Sequence, residues 1–322
     1  MPYSWDDEHD LDQSDTNGAF SFHDARRSYD DVAVAQQANE ARFTFRSPFP
    51  STQADYPLII GIDTTGSMLT WPRIFFEKLP LLYRETVKYL PNCEISFQAI
   101  NDFPADGADV ALQPAPFGKG AQLDEYIGQL YPVGGGGGQG TESYEIFAAY
   151  NSFLRAPNAL IKPVAIILGD EAPFANVPAE VASAYGLTEG KPFPSSDAFE
   201  RLQQVCDVYL VRKPYHSGDV KVVAAWRKIG NLPPERILLI NDPRRVVDVI
   251  LGILGIITGK QELFERELKS RQEPAQVKEV LASLHDLSAS RSGLGAPGQR
   301  SLTNLPRSPG QKTKVLGSDP QT

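Results

Sequence analysis

The sequence predicts an α/β fold, a doubly wound and mostly parallel sheet with helices on both faces. Three observations predict it. Short apolar runs recur at 58–62, 93–100, 164–168, 208–211 and 236–240, too short for helices and rich in β-branched residues. Segments with helical spacing separate them, as crossovers between parallel strands require. Several runs stop abruptly on an acid or amide: Asp63, Asn101-Asp102, Gly169-Asp170 and Asn241-Asp242. A strand apolar along its whole length is covered on both faces, and the loops after such strands gather at one edge of the sheet.

Taken in order, residues 1–40 are acidic, opposed only by Arg26 and Arg27, and their composition predicts a disordered tail. The alternation at 41–46 predicts an edge strand, and Pro48, Pro50 and Ser51 a connector. After the strand at 58–62, Met68, Trp71, Ile74, Phe75, Leu79, Leu82 and Tyr83 recur at helical spacing as far as Leu90. Pro72 suits the first turn there, and Pro80 implies a kink or break. A second strand spans 93–100, a third 108–112, and a short helix 122–130. Five glycines at 134–138 precede a helix over 143–154. The stretch 172–197 reads as loop with a helix at 179–185. Helices at 198–205 and 220–229 flank the strand at 208–211, and a buried helix covers 246–257. A charged helix over 261–284 closes the ordered part, placing the domain at 41–260, a C-terminal helix at 261–287 and a disordered, weakly basic tail at 288–322. No internal repeat is visible.

With 322 residues, the chain has room for one large domain or two small ones. A formal charge of -9 and a pI near 5.1 argue against general nucleic-acid binding. Cys93 and Cys206 are far apart, each in or beside an apolar run, which predicts buried free thiols in a reducing compartment. The histidines show no zinc spacing. The N-terminus is acidic where a secretory signal is basic and then apolar, and the apolar run 249–258 is too short to span a bilayer. A cytoplasmic location is therefore expected.

The chemistry concentrates at strand ends. Asp63, Thr65 and Ser67 alternate, so a tight loop can turn three oxygen-bearing side chains to one point. Thr141 follows the glycines and Asp170 follows another apolar strand. Two carboxylates and three hydroxyls suit a hard cation such as Mg²⁺. Singly, each has a plainer reading: Asp63-x-Thr65-x-Ser67 as a capped helix start, Thr141 as a helix N-cap, Asp170 as a strand-end residue. Asp102 and Asp106 read equally as turn residues or site lining, and Glu142 and Glu171 as solvated rim acids. Glycine spacing from 135 to 140 resembles a phosphate loop, but Thr141 follows with no lysine, so backbone freedom beside Thr141 is the better reading.

Asp63-Thr64-Thr65-Gly66-Ser67, the distant Thr141, and Asp170 in Gly169-Asp170-Glu171-Ala172-Pro173 resemble the metal-ion-dependent adhesion site (MIDAS) of von Willebrand factor type A (vWA) domains. The resemblance covers roughly 55–260 and is closer to intracellular members than to secreted ones. Thr65 stands where the family usually has serine, which keeps the hydroxyl. The resemblance implies a Rossmann-like fold and a non-enzymatic, metal-dependent protein-binding scaffold or adaptor. It implies Mg²⁺ or Mn²⁺ held by Thr65, Ser67 and Thr141, with Asp63 and Asp170 acting largely through water. It further implies a protein partner donating an Asp or Glu carboxylate, in settings that include AAA+ ATPase and signalling complexes. The alternative from another class is a haloacid-dehalogenase-like phosphohydrolase with Asp63 as nucleophile. Thr64 replaces the lysine of that variant motif, and Phe174 and Ala175 occupy the place of its second acid. The acidic N-terminal tail is a further candidate, as an internal pseudo-ligand occluding the site.

Overall fold

In the computed structural model of the chain, the described residues are 49–68, 70–108, 110–127, 130, 140–188, 190–215 and 218–292. The acidic tail, the edge strand at 41–46, the glycine run at 134–138 and the tail beyond 292 lie outside them.

Six strands form the main sheet: β1 (Tyr56–Asp63), β2 (Cys93–Ile100), β3 (Leu112–Pro114), β5 (Val164–Gly169), β9 (Asp207–Arg212) and β10 (Ile237–Leu239). Their order is β10-β9-β5-β1-β2-β3. All neighbours are parallel except β2 and β3. Two further pairs are short: β4 (Thr141–Glu142) runs parallel to β6 (Ala172–Pro173), and β7 (Asn176–Val177) antiparallel to β8 (Phe193–Pro194). This is the doubly wound, mostly parallel α/β architecture that the apolar runs predict.

Alternation along β1 explains the layers. Leu58, Ile60 and Ile62 face a core completed by α1 (Thr70–Glu77), α2 (Leu79–Tyr89), α4 (Ala121–Ile127), α9 (Val246–Ile257), α10 (Gln261–Arg271) and α11 (Pro274–Ser292). Ile59, with Ala165 and Ile167 of β5, faces a second core built with α5 (Tyr144–Asn151), α6 (Ala179–Ala184), α7 (Ser195–Val205) and α8 (Asp219–Lys228). Both sheet faces are covered, so β1 and β5 are apolar on both faces, and the alternating Ser96 and Gln98 of β2 are buried and hydrogen-bonded.

Winding reverses at β1. From there the chain adds β2 and β3 on one side, and later β5, β9 and β10 on the other. Connections leaving β1 and β5 therefore diverge at their carboxyl ends and open a crevice, the usual ligand position in such sheets.

Several expected elements differ. The segment after Asp63 opens with a 3₁₀ turn (Gly66–Met68) outside the expected helix, whereas the break implied by Pro80 is present: two helices part at Lys78, with Pro80 in the first turn of α2, where no N–H is needed. The third strand lies at Leu112–Pro114, not 108–112, and is antiparallel. A short helix, α3 (Phe103–Asp106), and Gly107 at φ 96° turn the chain back, and the connection is too short for a parallel crossover. The charged segment from 261 is two helices, broken at Gln272-Glu273, and the second runs through Ser292 instead of stopping before Ser288. Among the described residues, no helix is long and apolar enough to cross a membrane. Cys93 and Cys206 are free and buried, and burial pushes the Cys206 thiol up to about 12.

Candidate functional site

β1 ends on Asp63, whose carboxylate is wholly buried at the mouth of the crevice. Its Oδ1 accepts from the Thr65 backbone N–H (2.9 Å) and from the Thr65 hydroxyl (2.6 Å), which closes the loop locally. Its Oδ2 accepts from the Tyr144 hydroxyl at the start of α5. Thr64 turns the other way: its N–H donates to the Ile100 carbonyl (2.9 Å) and its hydroxyl to Asn101 Oδ1 (2.5 Å). The alternation at 63, 65 and 67 thus separates site-facing from sheet-facing side chains.

Ser67, exposed on the 3₁₀ turn, donates its hydroxyl to Asp170 Oδ1 at 2.9 Å. Asp170 follows β5 directly and is buried. Its Oδ2 accepts from Lys213 Nζ at 3.1 Å, just beyond β9. Thr141 is placed by the pairing of β4 with β6, opposite Ala172, and Gly140 at φ 76° turns the chain ahead of it. The structure therefore joins Asp63, Thr65, Ser67 and Asp170 in two hydroxyl–carboxylate pairs and sets Thr141 beside the loop after β5.

Glu142 and Glu171 are not rim acids. They are 3% and 5% exposed, because β4 and β6 fold that edge inward. Glu142 Oε2 is buried with no hydrogen-bond partner among the described residues. Glu171 is hydrogen-bonded by Tyr215, and its carbonyl accepts from Trp226 Nε1 at 2.8 Å. The two readings of Asp102 and Asp106 divide. Asp106 is a turn residue whose Oδ2 accepts from the Asp102 N–H (3.0 Å), whereas Asp102 is fully buried and its charge acts on Glu142.

The electrostatics follow from crowding. Burial pushes Asp63 up to about 7 against the pull of its Thr65 and Tyr144 hydrogen bonds, and the charge of Asp170 adds to the rise. Burial first, then the charges of Asp63, Asp102 and Glu171, push Glu142 up to about 10. Burial and the Asp170 charge raise Glu171. Carboxyls packed this closely hold protons unless a cation neutralises them.

No group of three His, Cys, Asp or Glu side chains among the described residues could hold a metal ion. A cation here would need the hydroxyls. Thr65 and Ser67 direct their protons at Asp63 and Asp170, which leaves oxygen lone pairs to face a cation. With the unpartnered Glu142 oxygen behind them, this all-oxygen set fits a hard divalent ion. Tyr144, Lys213 and the buried Glu142 are the participants that sequence reasoning missed. A signal for Lys213 existed, since it too directly follows a strand, but a lysine fits no metal-ligand pattern.

No protein-family model matches the sequence, and no curated protein matches it. Among solved structures the chain is similar to a von Willebrand factor type A protein from Catenulispora acidiphila, at 16% identity and a TM-score of 0.39 over 64% of this chain and 43% of that one. It is similar to the pilus adhesin SpaC from Lactobacillus rhamnosus GG, at 11% identity and a TM-score of 0.42 over 68% of this chain and 32% of that one. It is also similar to the SpRpn10 VWA domain, at 10% identity and a TM-score of 0.36 over 61% of this chain and 94% of that one. The chain thus spans less than half the length of the first two. Likenesses this distant bear on neither the site nor the function.

Proposed function

We propose that the crevice at the ends of β1 and β5 holds Mg²⁺ or Mn²⁺ and that the chain is a MIDAS-type, metal-dependent protein-binding module. In this reading the hydroxyls of Thr65, Ser67 and Thr141 are direct ligands, and Asp63 and Asp170 act through water and balance the charge. The ion supplies an electrophilic position that takes a carboxylate from an Asp or Glu of a partner protein. The chain's own residues do the rest. Asp63 and Asp170 orient the hydroxyls, Tyr144 holds Asp63, and Ser67 and Thr141 face the outside.

The observation that carries this reading is the pair of hydroxyl–carboxylate bonds, Thr65 to Asp63 and Ser67 to Asp170, with a buried unpartnered Glu142 oxygen beside them. A phosphohydrolase with Asp63 as nucleophile fits less well, because both Asp63 oxygens already accept hydrogen bonds and the residue is fully buried. Two free buried thiols support the expectation of a cytoplasmic setting. An AAA+ or signalling complex as the partner rests on the family resemblance alone.

The test is capture of binding proteins from native lysate by the immobilised full chain, with Mg²⁺ or with chelator, for wild type and Asp63→Ala. Capture is expected with Mg²⁺ and wild type only, with the variant still folded by circular dichroism. Equal capture by the folded variant would overturn the reading.

A further inference from the structure

Lys213 leaves the carboxyl end of β9 and reaches across the crevice. Its ammonium donates to Asp170 Oδ2 at 3.1 Å and to the main-chain carbonyl of Ser67. Both partners belong to the proposed metal set, and the other Asp170 oxygen already accepts from the Ser67 hydroxyl. The lysine is held in place from its backbone. Its N–H donates to the Gly169 carbonyl at 3.1 Å, and its own carbonyl accepts from Arg212 Nη1 at 3.1 Å. Arg212, 1% exposed, is ion-paired to Asp219, which also accepts from the Tyr215 N–H at 2.8 Å. The Lys213 side chain is 30% exposed, against 1% for its partner Asp170.

We propose that Lys213 is a resident counter-cation that competes with the divalent ion for this site, an inference that rests on the metal reading above. Without metal, the ammonium neutralises Asp170 and ties the turn at Ser67 to the end of β5. A divalent ion seated on the same residues repels that ammonium at short range, so uptake of the ion requires the lysine to leave Asp170 and Ser67. Its partial exposure gives it a direct way out to water. The lysine therefore weakens metal binding while it holds the metal-free site together.

The test is calorimetric titration of the full chain with Mg²⁺ and with Mn²⁺, plus melting in chelator and in saturating Mg²⁺. The proteins are wild type, Lys213→Gln, Lys213→Arg and Asp63→Ala. Lys213→Gln keeps a donor but no charge, and it should bind the ion at least about tenfold more tightly than wild type. Lys213→Arg should stay near wild type. In chelator the glutamine variant should melt below wild type, and saturating Mg²⁺ should remove that deficit. Lys213→Met carries the same expectations should the glutamine variant fail to fold. A neutral variant that binds no tighter than wild type, or an arginine variant that gains as much as the neutral one, overturns competition and leaves the metal reading standing. Absence of binding by both wild type and the neutral variants overturns both.

Discussion

Tyr144 donates its hydroxyl to a carboxylate that is itself fully buried, so the pair stands or falls together. In Tyr144→Phe the buried Asp63 Oδ2 loses the donor the structure gives it, and the expected cost is about 1–3 kcal/mol, read as a lower urea midpoint with unchanged slope. An unchanged midpoint would show that Asp63 finds another donor. Glu145, one residue on, gives a cleaner pH effect. Its Oε2 accepts from the Phe174 N–H at 3.2 Å, and burial first, then the Asp102 charge, raise its pKa well above the ordinary glutamate range. The folded state therefore holds this proton more tightly than the unfolded chain does. The stability it contributes is fully present below the ordinary glutamate pKa near 4.5 and is lost as pH rises towards the folded value. Glu145→Gln cannot ionise, so it should match wild type near pH 4 and melt progressively higher than wild type towards pH 8. Parallel melting profiles for the two proteins would rule this out.

At the scale of elements, α5 lies close on β1 and β5 because both strands carry glycine beneath it. A Cβ on Gly61 would stand 2.6 Å from Phe147 Cε2 and 2.9 Å from Ile100 Cδ1, and one on Gly169 would collide with Tyr144. That approach is what lets the Tyr144 hydroxyl reach Asp63. Gly61→Ala should cost about 1–3 kcal/mol by overpacking, and less in a Phe147→Leu background where the ring no longer fills the space. Strict additivity of the two changes would refute the packing account. Elements whose evidence is local were legible in the sequence. β2 and α9 fall at the bounds read from their apolar runs, and Asp63 and Asp170 were found because each ends such a run. Elements decided by distant pairing were not. The antiparallel β3 depends on the turn at Gly107, and the inward Glu142 on β4 meeting β6. The Asp63–Tyr144 and Asp170–Lys213 contacts join residues with no shared local pattern. A two-residue strand such as β4 or β6 leaves no periodicity to read.

At the scale of the whole molecule, the candidate site is assembled from loops after β1, β5 and β9 together with β4, on both sides of the point where the winding reverses. An ion held there would link the two halves of the sheet, and it could bind only the folded chain, because the unfolded chain has Asp63, Thr141 and Asp170 far apart. Mass action then converts occupancy into stability: at free ion one hundred times the dissociation constant the gain is about 2.7 kcal/mol. For a domain of this size each kcal/mol is worth about 2–4 °C, so the midpoint should rise by roughly 5–10 °C from chelator to saturating Mg²⁺. Part of any rise with salt could come from screening of the crowded carboxylates, an effect of ionic strength alone. Monovalent salt at matched ionic strength separates the two, because screening raises the midpoint equally in both solutions whereas binding responds only to the divalent ion. Asp63→Ala should keep the screening component and lose the remainder. A wild-type midpoint that moves no further in Mg²⁺ than in matched monovalent salt would leave the crevice an acidic pocket that the fold tolerates by protonation and by Lys213.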